Sequence, residues 1–266
     1  MQLIDTHNHV LPFVDDGAED WNASLQMLKH AQEDGITELV CTPHVLSNKD
    51  LEQEQKFLDI FEELKQRASD ANIPVRLHIG SEMYVQPDYN FRHKMATLAQ
   101  NGRYFLIEFP MSMIPQFVAE RLFDLFSEEY VPIIAHPERN GGILRDISHA
   151  YNFVEKGALL QVTAGSLLGL FGGDVRNMAH QLMDANLVHI IATDAHDVTR
   201  RKLKLRRAYD YVSEKWGPDR AETLFSTNPK KVIEGEGIQV GSPLPLAMAE
   251  TTSESFADKL RSFFRR

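Results

Sequence analysis

Residues 3–9 read Leu-Ile-Asp-Thr-His-Asn-His, a short run that ends in two histidines one residue apart. The run predicts a strand of a parallel sheet, because such strands are short, largely apolar and not strictly alternating. Side chains at alternate positions of an extended chain point to the same side, so His7 and His9 can reach one metal ion.

Six further apolar runs have this character, and amphipathic stretches separate them. The predicted strands are Leu3–His7, Ile36–His44, Val75–Glu82, Tyr104–Phe109, Val131–His136, Ala158–Thr163 and Val188–Asp194. The predicted helices are approximately Ala18–Asp34, Asp50–Ala71, Asn90–Gln100, Pro115–Glu129, Leu144–Lys156, Asp174–Asn186 and Arg201–Lys215. Gly35 and Gly157 stand where a helix ends and a strand begins, as C-cap glycines do.

Seven strand-then-helix units in series, joined by right-handed crossovers, favour a single-domain α/β protein with a (β/α)7 parallel barrel. The pattern alone also allows an open doubly wound sheet. The composition changes after about Gly235, where Gly, Ser and Pro are followed by a short basic and apolar end. We therefore expect a domain at residues 1–237 and a partly amphipathic tail at residues 238–266.

The composition excludes several classes of protein. The chain has 266 residues and is 43% apolar, so it can bury a large core and is not disordered. It lacks an apolar run of the roughly 18 residues that a membrane span needs, and it lacks a signal peptide, so we expect a cytoplasmic protein. A net charge of −10 argues against nucleic acid as a partner. The one cysteine excludes a disulfide framework.

Metal-ligand side chains stand at the ends of six of the seven predicted strands. After the first pair come His44, Glu82, Glu108, His136, Asp194 and His196, with Asp16 in the loop behind the first strand. Each one alone has an ordinary explanation, as a structural histidine or a helix N-cap. Their recurrence at the same end of each strand favours one shared site, because a parallel barrel brings all the carboxyl ends of its strands to one face.

This series resembles the polymerase and histidinol phosphatase (PHP) superfamily, whose pattern is His-x-His, Asp, His, Glu, Glu, His and Asp-x-His. The motifs Asp-Asp-Gly at 15–17, Gly-Ser-Glu at 80–82, Ala-His-Pro-Glu-Arg at 135–139 and Ala-Thr-Asp-Ala-His at 192–196 are similar to one branch. That branch comprises the metal-dependent bacterial protein-tyrosine phosphatases of capsule and exopolysaccharide operons. The resemblance covers roughly residues 3–235. It implies a distorted TIM-like seven-stranded barrel and a trinuclear site that usually needs manganese, and it makes Glu82 the expected bridging carboxylate.

The nine ligands form a nitrogen and oxygen set without thiolate, which suits Mn, Fe, Zn or Co. They are too many for one ion and enough for two or three. Four carboxylates with three divalent ions would leave the site with about two positive charges, which matches a phosphate dianion. The expected reaction is hydrolysis of a phosphate monoester by a metal-activated hydroxide.

Two arginines are candidate phosphate ligands. Arg139 follows His136 on the same loop, and a salt bridge with Glu138 is the structural alternative. Arg201 matches an arginine of the family, with Arg200 as its rival and a solvated basic segment as the alternative. A phenolate has a pKa near 10 and leaves readily, so a general acid is helpful but not essential. Asp197 and a metal-bound water are candidates for that acid.

The resemblance implies a phosphotyrosine protein as substrate, namely a tyrosine kinase of polysaccharide export. Histidinol-phosphate phosphatase is the main alternative, followed by a nuclease and by a non-catalytic scaffold. An amidohydrolase is disfavoured, because that group places Lys at the fourth strand end, where this chain has Glu108. A cysteine phosphatase is excluded, since Ser47 stands where the arginine six residues after Cys41 is required. In the tail, Phe256, Leu260, Phe263 and Phe264 share a helical face that could contact a membrane or a kinase.

Overall fold

Nine strands are present in residues 2–239 and 243–244, the part of the chain that the computed structural model describes. All of their pairings are parallel. They are β1 (Leu3–Asn8), β2 (Ile36–Cys41), β3 (His44–Val45), β4 (Arg76–Ile79), β5 (Glu82–Tyr84), β6 (Tyr104–Glu108), β7 (Val131–Ala135), β8 (Leu159–Thr163) and β9 (Ile190–Ala192).

The nine strands occupy seven positions in the wall, because two predicted strands are interrupted. Thr42 and Pro43 separate β2 from β3, and Gly80 and Ser81 separate β4 from β5. Pro43 has no N–H to donate to a ladder. A Cβ at Gly80 would lie 2.9 Å from Cδ2 and 3.0 Å from Cα of Leu98, so a larger residue would force Leu98 to shift. One sheet therefore has the order β1-β2-β4, and the other has the order β3-β5-β6-β7-β8-β9.

A narrow seam, without a continuous ladder, joins the first and last strands of the wall. Asn8 forms an isolated parallel bridge with Ala195. The His9 N–H donates to the Ala195 carbonyl and the Asp194 N–H donates to the His7 carbonyl, both at 2.8 Å. The predicted distorted (β/α)7 barrel is confirmed.

Eleven helices in the described residues surround the wall. They are α1 (Trp21–Asp34), α2 (Asn48–Leu51), α3 (Glu54–Asp70), α4 (Val118–Ser127), α5 (Gly141–Arg145), α6 (Ser148–Glu155), α7 (Ala164–Leu167), α8 (Gly173–Asp184), α9 (Arg206–Trp216), α10 (Pro218–Glu222) and α11 (Asn228–Glu234). Helix α1 shows why they start and stop there. The Asp20 carboxylate accepts from the Ala23 N–H, and Gly35 ends the helix in the left-handed conformation with φ of 88°.

Two apolar clusters form the core. The larger one lies between helices and wall, and α3 contributes Phe57, Phe61, Leu64 and Ala68 to it at helical spacing. The smaller one fills the barrel with inward residues from six strands, and Leu98, Val232 and Ile233 join it. The inward residues are Ile4, Val40, Leu106, Ile133, Leu159 and Ile190. The barrel is thus packed solid below the carboxyl ends of its strands.

The structure corrects some helix predictions. Asn90–Gln100 is not an α-helix but two 3-10 turns, and Ala99 and Gln100 have φ of 52° and 59°. Its backbone is held by side chains instead, since the Glu54 carboxylate accepts from the Met95 N–H. The predicted helices Asp50–Ala71 and Leu144–Lys156 are each divided in two, and Arg201–Lys215 begins only at Arg206.

No helix among residues 2–239 and 243–244 is long and apolar enough to cross a membrane. Most of the predicted tail, with Phe256, Leu260, Phe263 and Phe264, lies outside the described residues.

Candidate metal centre

The nine predicted ligands lie together at the carboxyl ends of the strands. Six are buried, whereas His44, Glu108 and Asp16 are more accessible. The side chain of Asp16 is 69% exposed, and its Oδ1 approaches the others through His196 at 3.4 Å and His44 at 3.5 Å. The set combines residues that are as far apart in the chain as His7 and His196, so the barrel topology is what assembles it.

Glu82 lies in the middle of the cluster. Its Oε2 is 3.1 Å from Nδ1 of His44, 3.2 Å from Nε2 of His7 and 3.3 Å from Nε2 of His9. Its Oε1 is 3.0 Å from Nε2 of His136. One carboxylate therefore contacts four imidazoles, which is an arrangement suited to bridging.

The donors form three overlapping groups, each with ligand atoms within 4.8 Å of one another. The groups are His9-Asp16-His44-His196, His7-His9-Asp194 and His44-Glu82-Glu108. His136 belongs beside the third group, because its Nε2 is also 3.6 Å from Oε1 of Glu108. Residues shared between groups are what a site for several neighbouring ions requires.

The hydrogen bonding of these side chains supports a metal centre. Within the described chain, Oε2 of Glu82 and Nδ1 of His44 are buried without a hydrogen-bond partner. The Nε2 atoms of His7 and His9 face each other at 3.3 Å. Buried polar atoms are nearly always satisfied in folded proteins, so the convergence of these unpartnered atoms fits a cation-binding site. Imidazole nitrogens with carboxylate oxygens fit divalent ions of intermediate softness.

Protons balance the charge of the cluster when it holds no metal. Burial disfavours protonated His9, but hydrogen bonds to Asp15 and Asp194 outweigh it and raise its pKa well above the ordinary value. Burial opposes the charge on Glu82, but the positive charge of His7 and the hydrogen bond from His136 lower its pKa. Burial and the charge of His9 lower the pKa of His196 to about 4. Metal ions would replace these protons, so binding should release them.

Two of the ligands have unusual backbone conformations. His136 has φ of 35° and Asp194 has φ of 51°, both in the left-handed region. Such strain costs about 1–3 kcal/mol and persists only where neighbours enforce it. Asp194 is fixed by the seam hydrogen bond to the His7 carbonyl. His136 is fixed through its N–H, which donates to the Gln161 carbonyl.

The sequence did not reveal three residues that hold the ligands in place. Oδ2 of Asp15 lies 2.8 Å from Nδ1 of His9, which turns Nε2 of that ring toward the cluster. The Gln161 amide lies 2.7 Å from Nδ1 of His7. Glu138, fully buried, accepts from the Thr163 N–H and thereby fixes the loop of His136. The available signals were the doubled aspartate at 15–16 and a polar residue within the apolar strand β8.

Both candidate phosphate-binding arginines point to the cluster. Nη1 of Arg139 and Nη2 of Arg201 are each 2.5 Å from Oδ2 of Asp194. Phe171 lies beside both guanidinium groups, at 4.5 Å and 5.8 Å from its ring centroid. Arg139 pairs with Asp194, not with Glu138, the partner that the structural alternative proposed. The rival Arg200 is exposed and makes no ion pair within the described chain.

The structure disfavours Asp197 as the general acid, and it agrees with the exclusion of Cys41 as a nucleophile. Burial raises the pKa of Asp197, but hydrogen bonds from the N–H groups of Arg200 and Thr199 outweigh it and lower the pKa to about 2. Asp197 is therefore ionised at neutral pH and is a poor general acid. Cys41 is fully buried, and burial raises the pKa of its thiol. It is not a nucleophile.

A parallel seven-stranded barrel with imidazoles and carboxylates gathered at its carboxyl ends is typical of the class of metal-dependent hydrolases. Within that class, residues 3–234 match the family described as "Capsular polysaccharide synthesis, CpsB/CapC". The chain belongs to this family.

Relatives match nearly the whole chain. CapC from Staphylococcus aureus is 34% identical over 91% of this chain and 95% of its own length. The tyrosine-protein phosphatase YwqE from Bacillus subtilis is 32% identical over 92% of this chain and 96% of its own. One similar crystal structure comes from work on YwqE and on CpsB from Streptococcus pneumoniae, which are described as unique metal-dependent tyrosine phosphatases. Its superposition on this chain has a TM-score of 0.81. It is 32% identical and covers 91% of this chain and 99% of its own.

Proposed function

We propose that this protein is a metal-dependent protein-tyrosine phosphatase that acts on a tyrosine kinase of capsule or exopolysaccharide export in the cytoplasm. The observation that carries the proposal is the convergence of nine nitrogen and oxygen ligands with two arginines at one face of the barrel. The family and the names of the relatives support a phosphotyrosine substrate. We assign catalysis to residues 1–237.

The ligand set supports three divalent ions, with manganese preferred and Fe, Zn or Co as alternatives. His7, His9, Asp16, His44, Glu82, Glu108, His136, Asp194 and His196 would hold them. Bound ions supply Lewis-acid activation of water and neutralise phosphate charge. Five neutral imidazoles leave only four carboxylates to offset that charge, so the loaded site keeps an excess of positive charge for a phosphate dianion.

Arg139 and Arg201 would bind the phosphoryl oxygens. Their shared partner, Oδ2 of Asp194, occupies a position between the two guanidinium groups. When Asp194 binds a metal ion, both guanidinium groups could donate charge-assisted hydrogen bonds to oxygens of the substrate phosphate. Phe171 limits the orientations of both arginines through its ring face. The two arginines are therefore held toward the centre before substrate binds.

The rim of the site suits a protein substrate. Five of the six large apolar side chains that are exposed in the described chain follow the carboxyl ends of strands. They are Phe13, Leu46, Met111, Met113 and Leu170. Apolar groups around a polar centre are typical of a surface that contacts an aromatic ring and its protein. A small, polar phosphate ester such as histidinol phosphate would leave them unused.

The test is hydrolysis by protein stripped of metal and then reloaded with Mn, Fe, Zn or Co separately. We expect restored release of phosphate from a phosphotyrosine peptide and little release from histidinol phosphate. His44→Ala should lose metal and turnover, whereas Arg139→Ala should keep metal and lose turnover. Restoration by none of the metals would contradict metal dependence. Faster hydrolysis of histidinol phosphate would move the protein to the alternative activity.

A further inference from the structure

A basic pocket of about 310 Å³ lies beside the metal centre. One wall is the segment after β8, with Ala164, Leu168 and Phe171, and the other is the segment before α9. Thr193 and Arg201 also line it. The pocket therefore adjoins the proposed phosphate-binding site, because Phe171 and Arg201 belong to the pocket and to that site.

Five cations and no carboxylate line this basic pocket among the described residues. The cations are Arg200, Arg201, Lys202, Lys204 and Arg207. Apart from Arg201, none of them has an ion pair with a carboxylate within 4.0 Å in the described chain. In a protein with a net charge of −10, so many unneutralised cations in one place form a local reversal of potential.

Asp194 pairs with the Arg201 side chain, whereas two other acids bind the backbone of this segment. Asp197 accepts from the N–H groups of Thr199, Arg200 and Arg201. Oδ2 of Asp34 accepts from the N–H groups of Leu205 and Arg206, at 2.5 and 2.7 Å. Asp197 and Asp34 shape the segment, while the charged ends of Arg200, Lys202 and Lys204 make no ion pair in the described chain.

A neighbouring helix also experiences this positive charge. Burial and then the charges of Lys204 and Lys202 lower the pKa of His30 on α1. Arg207 differs from the others, because it also borders a second pocket that contains Asp210 and Glu214. The pair of Lys202 and Lys204 is therefore the cleanest point at which to test the pocket.

We infer that the basic pocket binds an acidic or phosphorylated side chain that flanks the target phosphotyrosine in the protein substrate. This inference rests on the proposed function, since the pocket adjoins the centre that would hold the target phosphate. An anion joined to the same chain a few residues away gains affinity from being held nearby. A lone small phosphate ester has no group to place there.

The experiment compares kcat/KM for three phosphotyrosine peptides that differ only in one flanking residue. The residue is neutral in the first peptide, Asp or Glu in the second and a second phosphotyrosine in the third. For the wild-type holoenzyme we expect both charged peptides to be preferred about tenfold over the neutral one, as two or three exposed ion pairs supply. Lys202→Gln/Lys204→Gln should reduce this ratio to about threefold, and added Arg200→Gln should bring it to about one.

The matched control is Lys56→Gln/Lys156→Gln, which removes two exposed lysines elsewhere on the surface. It should keep the tenfold preference. If the variants fail to fold, the wild type still decides, because the ratio should fall as salt rises from about 20 to about 500 mM. Equal kcat/KM for all three peptides would overturn the basic pocket but leave the phosphatase intact. Hydrolysis of none of them would overturn the proposed function itself.

Discussion

His189 precedes β9, the strand that leads to Asp194, and only 4% of the residue is exposed. Its Nδ1 accepts a hydrogen bond from the Leu160 N–H at 3.2 Å, which requires an unprotonated nitrogen. Burial and the positive charge of Arg220 lower its pKa from 6.5 to about 3. We expect this residue to make folding sensitive to acid in a window that the two pKa values define.

The sign of the effect follows from proton binding. Below pH 6.5 the unfolded chain gains a proton at this ring that the folded chain refuses, so acid favours unfolding. Each pH unit in the window costs about 1.4 kcal/mol of stability. Between pH 7 and pH 5 the loss is about 2 kcal/mol, and it reaches about 4 kcal/mol near pH 3. Above pH 7 the residue contributes no pH dependence.

The loss of unfolding free energy is measured by urea unfolding at pH 7 and pH 5. A chelator is present in both experiments to exclude effects of metal loss. The variant is His189→Asn, whose side-chain oxygen can still accept from Leu160 but does not titrate. The exposed His149→Asn is the control. Wild type and control should each lose about 2 kcal/mol more than His189→Asn. The same loss in all three proteins would refute the argument.

Three other substitutions test the site. Asp15→Asn should weaken metal binding about 10- to 100-fold, because the His9 ring loses its fixed orientation; metal titration by calorimetry measures it. Arg139→Lys should keep the metal content and lower kcat/KM on an aryl phosphate about 100-fold, since lysine lacks the planar fork; an unchanged value would remove Arg139 from phosphate binding. Gly17→Ala would place a Cβ 2.1 Å from the His9 carbonyl oxygen, so we expect loss of metal. Gly173→Ala, with no atom within 4 Å, should bind metal normally.

The clustering of His and carboxylate residues at strand ends was predictable, because short apolar runs mark each strand in the sequence. Once the runs are assigned to parallel strands, residues such as His44 and Glu108 must meet, although they are far apart in the chain. The parallel topology brings the residues at all these strand ends close together in space. The same reasoning explains why Gly35 could be identified as a C-cap, since its left-handed conformation follows from its own chemistry.

Features that depend on distant partners were not predictable. The segment Asn90–Gln100 has acceptable helical residues, but tertiary hydrogen bonds such as that between Glu54 and Met95 hold it in another form. Asp15 and Asp16 are equivalent in a sequence, yet one is buried against His9 and the other is largely exposed. Gln161 contacts the His7 ring only because the fold brings β8 close to β1, which its own position in the sequence does not indicate.

The seam between β1 and β9 is a place where bound ions would connect the first and last strands of the barrel. His7 and His9 stand on one side of it, and Asp194 and His196 stand on the other. Ions held by these residues would fasten together two points about 190 residues apart, and closing so long a loop removes much of the freedom of the unfolded chain. Metal occupancy of the site should then be measurable by amide hydrogen exchange, without any substrate. The amides of His9 and Asp194, which donate across the seam, should exchange with solvent more slowly in the loaded protein than in the stripped one.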